Sequence, residues 1–79
     1  MTKPDDKKPG AGDVVVLIAI PPGLLNDLPS EDQEAIREVV GKSIKLSGYD
    51  GDGRAELEFK DRGGTVHFVY VEPRYIRKS

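Results

Sequence analysis

Between Val14 and Ile20 every position is apolar, the run is rich in β-branched residues, and Pro21-Pro22 stops it. That pattern predicts a strand rather than a helix. A strand apolar on both faces needs cover on both, from a helix, from barrel closure or from a second subunit. Beyond Gly23, Leu24 and Leu28 are spaced to share one face of a short helical turn. The sustained helical pattern follows Pro29. Ala35, Ile36, Val39 and Val40 fall within an arc of roughly 140°, an apolar stripe suited to packing on a sheet. Ser30 and Gln33 have capping-box spacing, Glu31, Asp32 and Glu34 put negative charge where the helix dipole favours it, and Gly41 is positioned to end the helix.

From residue 43 onward the period changes from helical to alternating. Ile44 and Leu46 face one side, with Lys45, Ser47 and Tyr49 on the other. Ala55, Leu57 and Phe59 face inward over 54–60, with Glu56, Glu58 and Lys60 outward. In 65–71 Val66, Phe68 and Tyr70 share one face and His67, Val69 and Val71 the other, so this strand is expected at the centre of a sheet. Asp50-Gly51-Asp52-Gly53 and Asp61-Arg62-Gly63-Gly64 suit hairpin connections, and Pro73 ends the last long strand.

The 79 residues allow one small domain. Met1–Asp13 contain mostly Lys, Asp, Pro and Gly, which predicts a disordered arm over 1–13 before a single domain over 14–79. The lysines before the apolar run raise the possibility of a secretory signal. Aspartates interleave with them, however, and no small-residue cleavage site precedes Pro21. The run is also far shorter than the about 20 residues a membrane helix needs. A soluble, cytoplasmic protein is expected. With no cysteine and one histidine, thiol chemistry, disulfides, zinc ribbons and iron–sulfur ligation are excluded, and no cofactor or metal is implied. Net charge is −2, with no basic block that would hold a polyanion. The basic residues Lys60, Arg62, Arg74, Arg77 and Lys78 are interleaved with Glu56, Glu58, Asp61 and Glu72, which argues against a nucleic-acid footprint.

Candidate chemistry is sparse. His67 is the one residue suited to proton transfer near neutral pH, and Glu56 or Glu58 are the acids a small enzyme would pair with it. No nucleophile accompanies them by motif, so a packing histidine is the preferred reading. Tyr49-Asp50-Gly51-Asp52-Gly53-Arg54-Ala55-Glu56-Leu57 resembles the calcium loops of the integrin-type FG-GAP and dockerin families. With Asp50, Asp52 and Glu56 as ligands, the first loop position is Gly48, which has no side-chain oxygen, and calcium takes six to eight oxygens. A glycine-rich hairpin turn is the simpler account.

The segment Val69-Tyr70-Val71-Glu72-Pro73-Arg74-Tyr75-Ile76 is similar to the end of SH3 domains, where a strand runs through a Pro-x-x-Tyr-like 3₁₀ turn into a short closing strand. The resemblance implies a β-dominated α+β fold: an SH3-like, partly open barrel of order β-α-β-β-β followed by a 3₁₀ turn. The alternative is an open four-stranded antiparallel sheet with the helix on one face. The tyrosine-rich motif and the tryptophan of the family's proline-peptide groove are absent, so no PxxP ligand is implied. Leu28-Pro29, Glu31-Asp32, Ala35-Ile36, Val40-Gly41-Lys42 and the stretch from Gly48 to Phe59 also resemble a family of small bacterial proteins, a likeness that implies no activity. The functional expectation is a non-enzymatic module binding a protein partner, through Tyr49, Tyr70, Pro73 and Tyr75 or through the exposed edge of strand 14–20. An RNA- or ribosome-associated module is the alternative. Weak homo-oligomerisation is expected from the all-apolar first strand.

Overall fold

The computed structural model describes residues 9–79. Strand β1 (Val14–Leu17) is followed by helix α1 (Ser30–Val39), then β2 (Ser43–Tyr49), β3 (Ala55–Lys60), β4 (Val66–Val71), a 3₁₀ turn (Pro73–Tyr75) and β5 (Ile76–Lys78). The strands form one open antiparallel sheet of order β4-β3-β2-β1-β5, and one helix packs against it. The β-dominated α+β class and the element order agree with the sequence pattern, and β5 adds a fifth strand to the four-stranded alternative.

Of the arm expected over 1–13, residues 1–8 lie outside the described residues. The remainder is held to the sheet. Gly12 N–H donates to the Leu46 carbonyl at 2.8 Å and Leu46 N–H to the Asp13 carbonyl at 2.9 Å, which extends the β1–β2 ladder before Val14. The composition here is unsuited to a core, but backbone pairing needs no apolar side chain.

The apolar run is a strand only over Val14–Leu17. β1 lies between β2 and β5, so both of its edges are paired, and the exposed edge expected for 14–20 does not exist. Its cover comes from within the chain: Val15 and Leu17 join the core, and Val16 is buried on the opposite face between Ser43 and Arg77. A second subunit is not needed for that burial.

Helix α1 buries Ala35, Ile36 and Val39, the stripe its period predicts. The capping box does not form. Pro29, extended at ψ 152°, takes the cap position and its carbonyl accepts from Gln33 N–H at 3.1 Å. Ser30 is thereby shifted into the helix, where its hydroxyl makes no capping bond, and Gln33 Nε2 donates instead to the Leu28 carbonyl at 2.9 Å. Gly41 leaves the helix at φ 84°, and its N–H donates to the Leu17 carbonyl at 2.9 Å, joining helix end to β1.

Two expectations in the meander are corrected. The register shifts between Leu46 and Gly48, so Tyr49 stands opposite Ala55 on the core side rather than outward with Lys45 and Ser47. An extra residue in one strand reverses the faces of everything beyond it. The strand over 65–71 is an edge rather than the centre. Among the described residues β4 pairs with β3 alone, because the 3₁₀ turn at Pro73 carries the chain across to β1 instead of back beside β4.

Candidate interaction surface

The antiparallel ladder sets what β4 presents. Asp61 N–H donates to the Thr65 carbonyl at 2.9 Å, and the two-residue alternation carries the bonded pairs on as Phe59–His67, Leu57–Val69 and Ala55–Val71. The N–H and C=O groups of Val66, Phe68 and Tyr70 therefore point away from β3, into the open edge. Their side chains stand on the outer face, 41, 53 and 43% exposed. Beside the edge, Leu24, Leu28 and Ile36 join these side chains in lining a groove of about 520 Å³. Leu24 and Leu28 both pack against the core, as their spacing predicts.

Natural sheets blunt such an edge with short strands, lysine, proline or a bulge. The opposite edge, β5, has three residues and carries Arg77 and Lys78. β4 has six residues, pairs without a bulge and contains no Lys, Arg, Asp, Glu or Pro.

The proposed aromatic set does not form one surface. Tyr70 belongs to the β4 ladder, where its hydroxyl donates to Glu56 Oε2 at 3.2 Å. That bond to a carboxylate raises the Tyr70 phenol above its ordinary pKa. Tyr49 lies on the other face of the sheet, half-buried, with its hydroxyl donating to the Pro9 carbonyl at 2.6 Å. Burial, and secondarily Asp13, raise its pKa. Pro73 is exposed at the start of the 3₁₀ turn, and Tyr75 packs its ring against the core with the Arg74 guanidinium 5.0 Å from its centroid.

His67 faces inward and is fully engaged. Its Nε2 lies 2.8 Å from Asp61 Oδ2 and its Nδ1 3.2 Å from Asp32 Oδ1, while the ring stacks on Phe59 at 5.5 Å. A neutral ring donates from one nitrogen and an imidazolium from both. The clasp joins α1, the β3–β4 turn and β4, and leaves neither nitrogen open to a substrate. Glu56 and Glu58 cannot pair with it, because they stand opposite Tyr70 and Phe68 on the outer face. Asp61 also accepts from Gly63 and Thr65 N–H at 2.9 and 3.0 Å. The His67 bond, then these amides, hold its carboxyl below the usual range.

The calcium-like segment is a closed turn. Asp50 Oδ1 accepts from Asp52 and Arg54 N–H at 2.9 and 2.8 Å, and the Arg54 guanidinium engages Asp50 and Asp52 at 3.0 and 3.3 Å. The hydrogen bond from the Arg54 backbone N–H leads in lowering the Asp50 pKa, followed by the Asp52 N–H and the Arg54 guanidinium. Among the described residues no group of three or more His, Cys, Asp or Glu is placed to hold a metal ion, and no helix is long and apolar enough to cross a membrane. The basic residues do not converge. Arg62 meets Glu38 at 3.3 Å beside the β3–β4 turn, Arg74 meets Glu72 at 3.0 Å, and Arg77 and Lys78 lie on the opposite edge of the sheet.

Comparison with protein-family models, with curated proteins and with solved structures finds no match.

The residues missed by sequence reasoning are Val66 and Phe68, with Leu24 and Leu28 beside them, and the two aspartates of the clasp. One signal was present: residues 65–71 carry no formal charge in a chain one-third charged. Apolar residues on both faces point to a central strand, but an unguarded edge has the same composition.

Proposed function

We propose that this protein is a non-enzymatic interaction module that accepts an extended protein segment along the free edge of β4. The observation that carries this is the coincidence of outward-facing backbone groups with half-exposed side chains at Val66, Phe68 and Tyr70. A strand added there would complete the ladder with main-chain hydrogen bonds and draw its selectivity from alternate side chains, the logic of β-augmentation. Tyr70 is the member of the expected aromatic set that belongs to this surface. An SH3-like kinship is supported by β1 lying between β2 and β5 and by the 3₁₀ turn before the closing strand. The site proposed differs from that family's aromatic groove.

The test is amide chemical-shift mapping with a short soluble peptide that alternates Thr with Val and Phe. Shifts and slowed amide exchange at Val66, Phe68 and Tyr70 are expected. Shifts confined to Tyr49 and Tyr75, or none at all in protein shown by sedimentation to be monomeric at the concentration used, would overturn the assignment.

A further inference from the structure

We infer that the segment β4 accepts is β4 of a second copy, paired antiparallel about a two-fold axis at Phe68. This rests on the strand-addition reading above and names its occupant.

The register follows from the backbone. Val66, Phe68 and Tyr70 are the residues whose N–H and C=O face the open edge. An antiparallel partner must bond to those same residues. Centring the axis on Phe68 matches all of them at once: Phe68 with Phe68, Val66 with Tyr70, and Tyr70 with Val66 of the second copy. Each matched position exchanges both of its hydrogen bonds. A slip of two residues along the strand keeps the bonding parity but leaves one outward residue in each copy unmatched.

Side chains and charge agree with this register. On the outer face the apolar ladders of the two copies meet edge to edge, with the Phe68 rings adjacent at the axis. Lys60 stands opposite Val66 and Glu56 opposite Tyr70, so the two flanking outer rows each run from a Lys60 in one copy to a Glu56 in the other, while the central row runs through the two Phe68 rings from Glu58 to Glu58, each with Lys45 of its own copy 3.8 Å away. A parallel arrangement would align like charges. On the inner face His67 comes opposite Val69 of the second copy, above the groove lined by Leu24 and Leu28.

Closure favours the two-fold over a chain of copies. Head-to-tail growth would require β4 to pair with β5, and β5 is short and basic. Pairing β4 with β4 uses one unguarded edge per copy and leaves guarded edges outermost, so assembly stops at two. A six-residue strand is about 20 Å long. The strip it buries is smaller than the about 800 Å² per partner of a standard stable interface, so the dimer is weak and concentration-dependent.

The absence of cysteine from the sequence makes the test direct. Sedimentation of the full chain from micromolar to millimolar concentration should show mass rising towards twice that of the monomer. Phe68→Lys should remain monomeric throughout, while Val14→Lys, at a site 50% exposed on a distant strand, should dimerise like the parent. Phe68 is exposed, so its replacement is compatible with folding, and circular dichroism checks this. Bonded antiparallel pairs have Cα atoms about 5.5 Å apart, within disulfide range. Under mild oxidation Phe68→Cys should cross-link at least ten times faster than Val14→Cys. Equal rates, a dimeric Phe68→Lys variant, or growth beyond two copies would overturn the proposal. A chain that stays monomeric but binds the Thr/Val/Phe peptide at β4 would remove the second copy as occupant and leave the strand-addition reading standing. A monomer that also ignores the peptide would remove both.

Discussion

Ile36→Ala tests whether the helix and sheet form one cooperative unit. Ile36 is 1% exposed, on the face of α1 that meets the sheet. The substitution removes three carbons, about 2.4 kcal/mol at about 0.8 kcal/mol for each. The unfilled cavity adds to this, giving about 2–5 kcal/mol in total. A domain of about 70 residues has about 4–10 kcal/mol of stability, so the variant should lose a large fraction of it. The helix has no independent reserve. Its 10 residues fall below the about 12–15 at which isolated helices become even marginal. Its persistence therefore depends on docking through Ala35, Ile36 and Val39.

Urea unfolding followed by far-ultraviolet circular dichroism and by tyrosine fluorescence measures this. With a slope near 1 kcal/mol per molar urea, the midpoint should fall by about 2 M or more, and the two probes should coincide. Ile36→Val should cost about 0.5–1.5 kcal/mol. Glu34→Ala, exposed on the same helix, should stay within about 0.5 kcal/mol of the parent. A cost below about 0.5 kcal/mol for Ile36→Ala, or a helical signal lost well before the tyrosine signal, would refute the idea that α1 is integral to the core.

Two further perturbations examine the clasp and the helix end. Asp61 has a folded-state pKa below its unfolded value, so the native state binds fewer protons there; its stabilisation is complete above about pH 4 and is lost as pH falls through the lower folded value. Asp61→Asn keeps an acceptor for the Gly63 and Thr65 amides but removes the carboxylate facing His67. The gap in melting temperature between parent and variant should therefore narrow below about pH 4, and a gap constant across the acid range would contradict this account. Gly41→Ala should cost about 1–2 kcal/mol, because φ 84° is strained for any Cβ although nothing lies within 4 Å of it. Gly51→Ala, also in open space but without a positive φ, should be near neutral, and equal denaturation midpoints for the two variants would be inconsistent with it.

The elements legible in the sequence are those fixed by local periodicity. The α1 stripe of Ala35, Ile36 and Val39, the alternation of Ala55, Leu57 and Phe59, the hairpin turns and the end of β4 before Pro73 all follow from spacings of a few residues and from the dihedral limits of proline and glycine, whereas the 3₁₀ turn is implied only by the likeness to the end of SH3 domains. The candidate surface was only half legible. The apolar face of Val66, Phe68 and Tyr70 could be read off, but not whether anything covers it. That depends on β4 having one neighbour, and strand neighbours are chosen by backbone ladders between residues far apart in the chain. For the same reason β1, read as an open edge, is enclosed by β2 and β5. The register shift between Leu46 and Gly48 moves Tyr49 to the opposite face from Tyr70. His67 likewise finds Asp32 and Asp61 instead of the glutamates nearest it in the alternating pattern. Sequence alone determined which residues could be buried and which elements they build. The tertiary structure decided which edge stays unpaired, because that is settled by the order in which the strands pair and not by any strand's own composition.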